Sequence, residues 1–285
     1  MTKHRLLIGS AFLLVASLVA GTTTVRADDW PQWRGPQRNG VSQETGLLRA
    51  WPAGGPKLLW QRSDIGEGYA TPAVVGSRLY LLANRGLDDE FVAALGVEDG
   101  KQVWSTRIGK VGNPEQQPPF PMARSTPTVD GDWLYALGSD GDLACLATAG
   151  GKVRWHKSLR SEFGGRPGKW AYAESPLVDG DVLVCTPGGG TATLAALDKK
   201  SGAVLWKSAV PGGEEAAYAS VTVVVALVEA APDACRRKGQ FTPPGQPRHT
   251  HGAMEKAWPY PVVANGRLFI RDQNVLWCYD VKAAP

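Results

Sequence analysis

The chain has 285 residues, 43% of them hydrophobic, and sets 31 basic side chains against 27 acidic ones. A surplus this small, with no Lys/Arg block, excludes a phosphate-binding stripe and with it a nucleic-acid partner. The four cysteines contain no Cys-x-x-Cys pair and no zinc spacing, so a structural zinc site is excluded as well.

In chain order, Met1 to Ala27 reads as a cleaved secretory signal. Lys3 and Arg5 give a positive start, Leu6 to Ala20 is apolar and uncharged, and Val25-Arg26-Ala27 offers small residues where a signal peptidase reads. The apolar run falls short of the roughly 20 residues of a membrane span, and no cysteine near the cleavage site offers a lipid anchor. Cleavage removes Lys3, Arg5 and Arg26 and leaves 28 basic against 27 acidic side chains. We therefore expect a periplasmic or secreted monomer with no membrane span. A leader, 28–56, precedes one all-β domain, 57–285.

That domain repeats itself. Ala94 to Trp104, Cys145 to Trp155 and Ala196 to Trp206 each carry a small residue first, Leu second, Gly seventh and Trp eleventh, with Trp104, Trp155 and Trp206 spaced 51 residues apart. A fixed period of this length marks a propeller or solenoid. Each unit holds four short Val/Leu/Tyr/Trp runs separated by Gly and Asp, which predicts four antiparallel strands. The units run from about Tyr69 to Arg107, Arg124 to Lys157 and Tyr172 to Ser208. The first two strands of each are expected to turn at Val75-Gly76, Asp130-Gly131, Asp179-Gly180 and Asn265-Gly266. Ahead of each turn stands a proline, Pro72, Pro127, Pro176 or Pro261, at the only strand position that tolerates one away from an edge, the first. Between the first two units, Gly109 to Met122 carries four prolines and reads as a surface loop.

Pro261 to Phe269 and Val275 to Val281 match the first three strands of a unit and stop. Lys57-Leu58-Leu59-Trp60 matches the missing fourth, so an N-terminal strand is predicted to complete the C-terminal blade and close the ring. The expected fold is an all-β propeller of four-stranded antiparallel blades: three complete, one split and one degenerate. The degenerate segment, 221–256, changes composition abruptly and reads as a deletion or frameshift junction. Cys145, Cys185 and Cys278 sit in apolar strand-like runs and are read as small buried residues; Cys235 falls in the degenerate segment.

The Ala/Cys-x5-Gly-x3-Trp pattern resembles the tryptophan-docking motif of pyrroloquinoline-quinone (PQQ) repeat propellers. Ala196, Asp198, Ser201, Gly202 and Trp206 match it best; Gly96 and Ala147 stand where the motif has Asp. Asp29-Trp30-Pro31-Gln32-Trp33-Arg34-Gly35-Pro36, with Asn39-Gly40 and Gly46-Leu47-Leu48, is similar to the leader of exported PQQ-like propellers of the planctomycete type. The resemblance implies seven or eight blades, more than this chain supplies. It also implies that Trp60, Trp104, Trp155 and Trp206 are structural, each lying between its own blade and the next, with Gly100, Gly151 and Gly202 receiving them. Relatives in fold include quinoprotein dehydrogenases and the propeller lipoprotein that assists outer-membrane protein assembly.

The resemblance to quinoprotein dehydrogenases implies PQQ and Ca2+ as cofactors, yet the adjacent cysteine pair of many such enzymes is missing. Asp130-Gly131-Asp132 and Asp140-Gly141-Asp142 are ordinary turn chemistry, and Ca2+ needs about six to eight converging oxygens. His249-Thr250-His251 lacks a third ligand, with His156 in a distant strand. Gly188-Gly189-Gly190 lacks the Lys-Ser/Thr of a phosphate loop and reads as a turn. No catalytic residue and no metal site is predicted. A binding site is sought instead at the channel mouth, where the residues before each proline converge: Tyr69, Arg124, Tyr172, Glu174 and Trp258. That set suits a protein, peptide or saccharide ligand. The expected role is a non-catalytic binding or assembly scaffold in the cell envelope; the alternative is a PQQ/Ca-dependent quinoprotein oxidoreductase.

Overall fold

The computed structural model describes residues 29–116, 120–210, 212–216, 218, 220, 243–244 and 261–283. Their strands form four antiparallel four-stranded sheets. The first blade comprises β2 (Ala73–Val75), β3 (Arg78–Arg85), β4 (Asp89–Gly96) and β5 (Gln102–Gly109). The second comprises β6 (Thr128–Asp130), β7 (Trp133–Leu137), β8 (Asp142–Ala147) and β9 (Val153–Ser158). The third comprises β10 (Leu177–Asp179), β11 (Val182–Cys185), β12 (Leu194–Asp198) and β13 (Val204–Ser208). The split blade joins β1 (Lys57–Arg62) to β14 (Val262–Ala264), β15 (Arg267–Asp272) and β16 (Val275–Asp280) in the order β1-β16-β15-β14. The predicted completion by the N-terminal strand is thus present. The degenerate segment lies outside the described residues apart from 243–244.

The signature prolines sit one residue ahead of β2, β6, β10 and β14, where a missing N–H leaves no ladder bond unmade. The turns differ by one residue from the expectation in three blades. Val75 pairs with Arg78, Asp130 with Trp133 and Asp179 with Val182, so the turn residues are Gly76-Ser77, Gly131-Asp132 and Gly180-Asp181. Each opens on a glycine at φ 56°, the conformation that the first position of a tight hairpin requires. Asn265-Gly266 does fall as predicted, both residues having positive φ.

Strand alternation builds the core between blades. In β3, Leu79, Leu81 and Ala83 pack toward the split blade with Phe269 and Cys278, while Tyr80 and Leu82 pack toward the second blade with Leu134 and Ala144. Both faces of the strand are therefore buried, which is why it reads as a continuous apolar run. The Arg271 guanidinium, fully buried on β15, crosses to the first blade and donates to Ala70 O (2.9 Å) and Leu82 O (2.8 Å).

The repeated tryptophans are the clasps. Trp104 faces Ala94 across its own sheet, Trp155 faces Cys145, Trp206 faces Ala196 and Trp60 faces Cys278. Three of the indoles then lie on the next blade: a Cβ added at Gly100, Gly151 or Gly202 would come within 2.7, 2.5 or 2.9 Å of the ring of Trp60, Trp104 or Trp155. Their Nε1–H groups donate to Val97 O (2.9 Å), Thr148 O (2.9 Å) and Lys199 O (3.0 Å). Trp206 does not follow its siblings: it is 47% exposed, against 9% for Trp104 and Trp155.

Cys145 and Cys278 occupy the small slot beneath a clasp tryptophan, and both are free and buried, as is Cys185. Burial pushes the Cys145 thiol up to about 11, the Cys278 thiol up to about 12, and that of Cys185 well above its ordinary value. Little thiolate forms near neutral pH, so all three should resist an aromatic disulfide reagent at pH 8 and react together on denaturation. A thiol titration on the Cys235→Ser variant checks this; one equivalent of fast labelling in the native state would contradict it.

A five-residue helix, α1 (Leu159–Phe163), follows β9. Ser158 caps it by accepting from Ser161 N, while Glu162 accepts in return from Ser158 N. Residues 29–56 form a strap across the hairpin-turn end of the blades. Trp30 bridges Val74 in the first blade, Pro31 O accepts from Val129 N in the second (2.8 Å), and Arg38 Nη2 donates to Pro176 O at the third (3.1 Å). Glu44 accepts from Gly266 N (2.7 Å) and Leu48 N donates to Val281 O (2.8 Å) at the split blade. Among the described residues, no helix is long and apolar enough to cross a membrane.

Candidate functional site

The opposite end of the blades is where the chain runs into each innermost strand. Tyr69 and Arg124 precede β2 and β6, and the hydrogen bond from Tyr69 N to Ala123 O (2.7 Å) draws these two approach segments together. The Arg124 guanidinium consequently lies 5.1 Å from the Tyr69 ring centroid and 5.7 Å from that of Trp170. Its Nη2 donates to Phe120 O, and its buried Nε has no hydrogen-bond partner. Burial lowers the Arg124 pKa, and neighbouring Tyr69 only partly offsets that effect. Burial likewise raises the Tyr69 phenol, opposed by the Arg124 charge. Tyr218, exposed at the rim, accepts from Trp170 N (3.1 Å) and so steadies the second wall of this cage. The arrangement is a desolvated cation held between aromatic faces, which lends itself to anionic or planar groups.

The other predicted mouth residues part company with these two. Tyr172 is fully buried in the core between the second and third blades, with its hydroxyl donated to Pro187 O (2.8 Å), and so does not face the mouth. Glu174 is also fully buried, accepting from Thr186 N and Thr186 Oγ1. Burial pushes its carboxyl up to about 8, opposed by Thr186 and by Arg38 of the strap. Trp258 lies outside the described residues. Sequence reasoning missed Trp170, two residues before Tyr172, and Glu90. The latter is fully buried on β4, accepts from Ser139 N (2.9 Å) and Ser139 Oγ (2.7 Å) of the second blade, and is pushed up to about 8 by burial. Its visible signal was weak: it is the last of three consecutive acids, Asp88-Asp89-Glu90, and the one that adjoins the apolar run Phe91 to Leu95.

Three of the four Asp-Gly-Asp carboxylates pair with basic side chains. Asp130 pairs with Lys199 (2.6 Å), Asp140 with Arg160 (2.8 Å), and Asp142 with His156 (3.0 Å). The hydrogen bond to Asp142 raises the His156 pKa. Gly188 and Gly189, at positive φ, lie in the loop joining β11 to β12. His249-Thr250-His251 lies outside the described residues. Among the described residues, no three His, Cys, Asp or Glu side chains gather where they could hold a metal. The donor set they offer does not fit Ca2+-bound PQQ, which needs convergent carboxylate oxygens.

The family profile described as "Outer membrane protein assembly factor BamB", PQQ_2, matches residues 37–166 and 88–282. The chain belongs to the PQQ_2 family. Among its relatives, the outer membrane protein assembly factor BamB of Yersinia pestis is 26% identical over 156 residues, covering 53% of this chain and 36% of the relative. BamB of Xanthomonas campestris pv. campestris is 27% identical over 138 residues, covering 48% of this chain and 30% of the relative. The matches to these PQQ_2 relatives thus span about a third of their length. Of solved structures, the quinohemoprotein alcohol dehydrogenase ADHIIG of Pseudomonas putida HK5 has a TM-score of 0.50 at 21% identity, covering 65% of this chain and 27% of that one. The likeness is one of fold alone.

Proposed function

We propose that this PQQ_2 propeller is a periplasmic or secreted, non-catalytic scaffold of the cell envelope that takes a protein, peptide or saccharide ligand at the channel mouth. The observation that carries the reading is the Tyr69–Arg124–Trp170 cage, in which a guanidinium is desolvated between two rings and its Nε is left unbonded. An acceptor that meets the partly exposed guanidinium would gain a charge-assisted hydrogen bond there, strengthened by the weak hydration of the cation. The two carboxyls with raised pKa, Glu90 and Glu174, are the natural candidates for acid–base chemistry, but both are fully buried and bonded to Ser139 and Thr186. Envelope location is supported by the distant likeness to BamB proteins.

Immobilised wild-type chain should capture a ligand from envelope extract, and Arg124→Gln should reduce that capture at least tenfold, in line with the loss of a central arginine anchor. Capture unchanged by Arg124→Gln would remove the mouth from consideration. Dye-linked alcohol oxidation appearing on addition of PQQ and Ca2+ would replace the scaffold reading with an oxidoreductase.

A further inference from the structure

Beneath the mouth lies a second guanidinium. Arg271 is fully buried, and its Nε and Nη1 are spent on backbone carbonyls: Gln273 O (3.0 Å), Ala70 O (2.9 Å) and Leu82 O (2.8 Å). Its Nη2 is buried with no hydrogen-bond partner. That atom abuts the backbone of the cage, since a Cβ added at Gly68 would meet Arg271 Nη2 at 2.9 Å and Ala123 O at 3.0 Å. Gly68 and Ala123 immediately precede Tyr69 and Arg124. Burial takes the Arg271 pKa down to about 9, and no carboxylate of the described residues offsets it.

The acids near the mouth leave this charge standing. Glu90, in the field of Arg124, is bonded to Ser139 and largely neutral at pH 7, its carboxyl being pushed up to about 8. Glu67 and Asp272 act on the Tyr69 phenol. Lys169, exposed and 5.2 Å from the Trp170 ring centroid, adds a further cation. Both rings of the cage thus carry cations, so charge rather than a bare aromatic platform meets the ligand. Gln116 favours a peptide as the bearer of the opposite charge. Its loop is tied to the cage by Asn113, which donates to Gly168 O (3.0 Å), and by Phe120 O. The Gln116 side chain, in a residue 8% exposed, has neither its donor nor its acceptor satisfied, the pair that a peptide group complements. We propose, resting on the reading of the mouth as the ligand site, that its occupant is an acidic peptide segment whose Asp or Glu carboxylate pairs with the exposed part of the Arg124 guanidinium, drawn by the buried charge of Arg271. Arg271 acts through its field alone, because its Nη2 is out of a ligand's reach. The Gln116 amide reaches the peptide by a rotamer change, as side chains at interfaces commonly do.

The probe is an acetylated, amidated peptide Ala-Asp-Ala-Glu-Ala-Asp, compared with its Asn/Gln isostere and with digalacturonate. Mixed with the full chain, the acidic peptide should bind saturably and shift the Nε–H resonance of Arg124, assigned through Arg124→Lys. The isostere, and Arg124→Gln in the chain, should each weaken binding about tenfold or more, the worth of a charge-assisted hydrogen bond. Gln116→Leu should weaken it severalfold. Arg271→Met should weaken the acidic peptide and leave the isostere unchanged; if circular dichroism shows that variant unfolded, affinity that falls with added salt for the acidic peptide alone supplies the same test. The proposal is overturned by absence of binding, by equal binding of the isostere, or by binding that survives Arg124→Gln. Tighter binding of digalacturonate would overturn it in favour of an acidic saccharide. Envelope capture that needs Arg124 yet is not displaced by the acidic peptide would refute the peptide and keep the mouth as a ligand site, whereas capture and peptide binding both indifferent to Arg124→Gln would remove both.

Discussion

Trp104→Ala should lower the free energy of unfolding by about 3–5 kcal/mol, while Trp206→Ala, at the same repeat position, should change it by less than about 0.5 kcal/mol. The residues share a repeat position and differ in what surrounds them, Trp206 having Val184 where Trp104 has Tyr80 and no turn glycine of the described residues on its outer side. Trp104 is sandwiched between Tyr80 of its own blade and Gly151 of the next, with its N–H spent on Thr148 O. Removing it leaves a cavity lined by two blades and an unpaired carbonyl. Gly151→Ala should approach the same damage from the other side, since a methyl at φ 71° is strained and sits within 2.5 Å of the Trp104 ring. Because the two substitutions remove one contact, their costs should fall short of additive by more than about 1 kcal/mol. Urea unfolding of the three single variants and the Trp104/Gly151 double variant measures this; equal costs for Trp104→Ala and Trp206→Ala would refute the clasp.

Stability should also fall as pH rises from about 5 to 9. Glu90 and Glu174 titrate near 4.5 in an unfolded chain and near 8 in the folded one, so between those values the folded state holds protons that the unfolded state has released. The stabilisation is complete below 4.5 and is lost as pH climbs through 8. A displacement of that size sets an upper limit of roughly 4–5 kcal/mol per carboxyl. His156, whose pKa is raised by Asp142, pulls the same way with less weight because it is partly in water. Glu90→Gln keeps an acceptor for Ser139 without the charge, so it should be the more stable protein at pH 9 and should lose about half of the pH slope. Thermal melts at pH 5, 7 and 9 decide it, and parallel curves for wild type and Glu90→Gln would dismiss the buried carboxyl as the cause.

The blades were legible because their signals are local or periodic. Glycine turns, prolines ahead of strands and the Gly-to-Trp interval each constrain a few neighbouring residues, and the split blade followed from matching its two ends. Cys278 was read as a small buried residue, but its place opposite Trp60 was not, because that motif is divided between the chain's two ends. The mouth was half legible. The approach to an innermost strand brings Tyr69 and Arg124 together, but which way a side chain turns there depends on loops. Tyr172 and Glu174 turn inward because Pro187 O and Thr186, both in the loop after β11, receive them. No spacing rule encodes that loop. Helix α1 is too short to show a period, and Glu162 stands four residues after the capping Ser158 rather than the three of a capping box. Nothing in the composition of residues 29–56 says that they reach all four blades.

That strap, together with β1, bears on how the protein comes to be folded. The first three blades can stack in the order in which they are synthesised, each clasp closing on the blade that follows. Lys57, however, pairs with Asp280, and Glu44 waits for Gly266, 222 residues further on. The oldest strand in the chain is therefore the last to find its sheet. Until then its unpaired edge and the unstrapped channel are exposed, and the cost of closing so long a loop falls on a single late step. An export route that delivers the chain unfolded, with its two ends arriving in the same compartment, would let that step take place where the final protein resides.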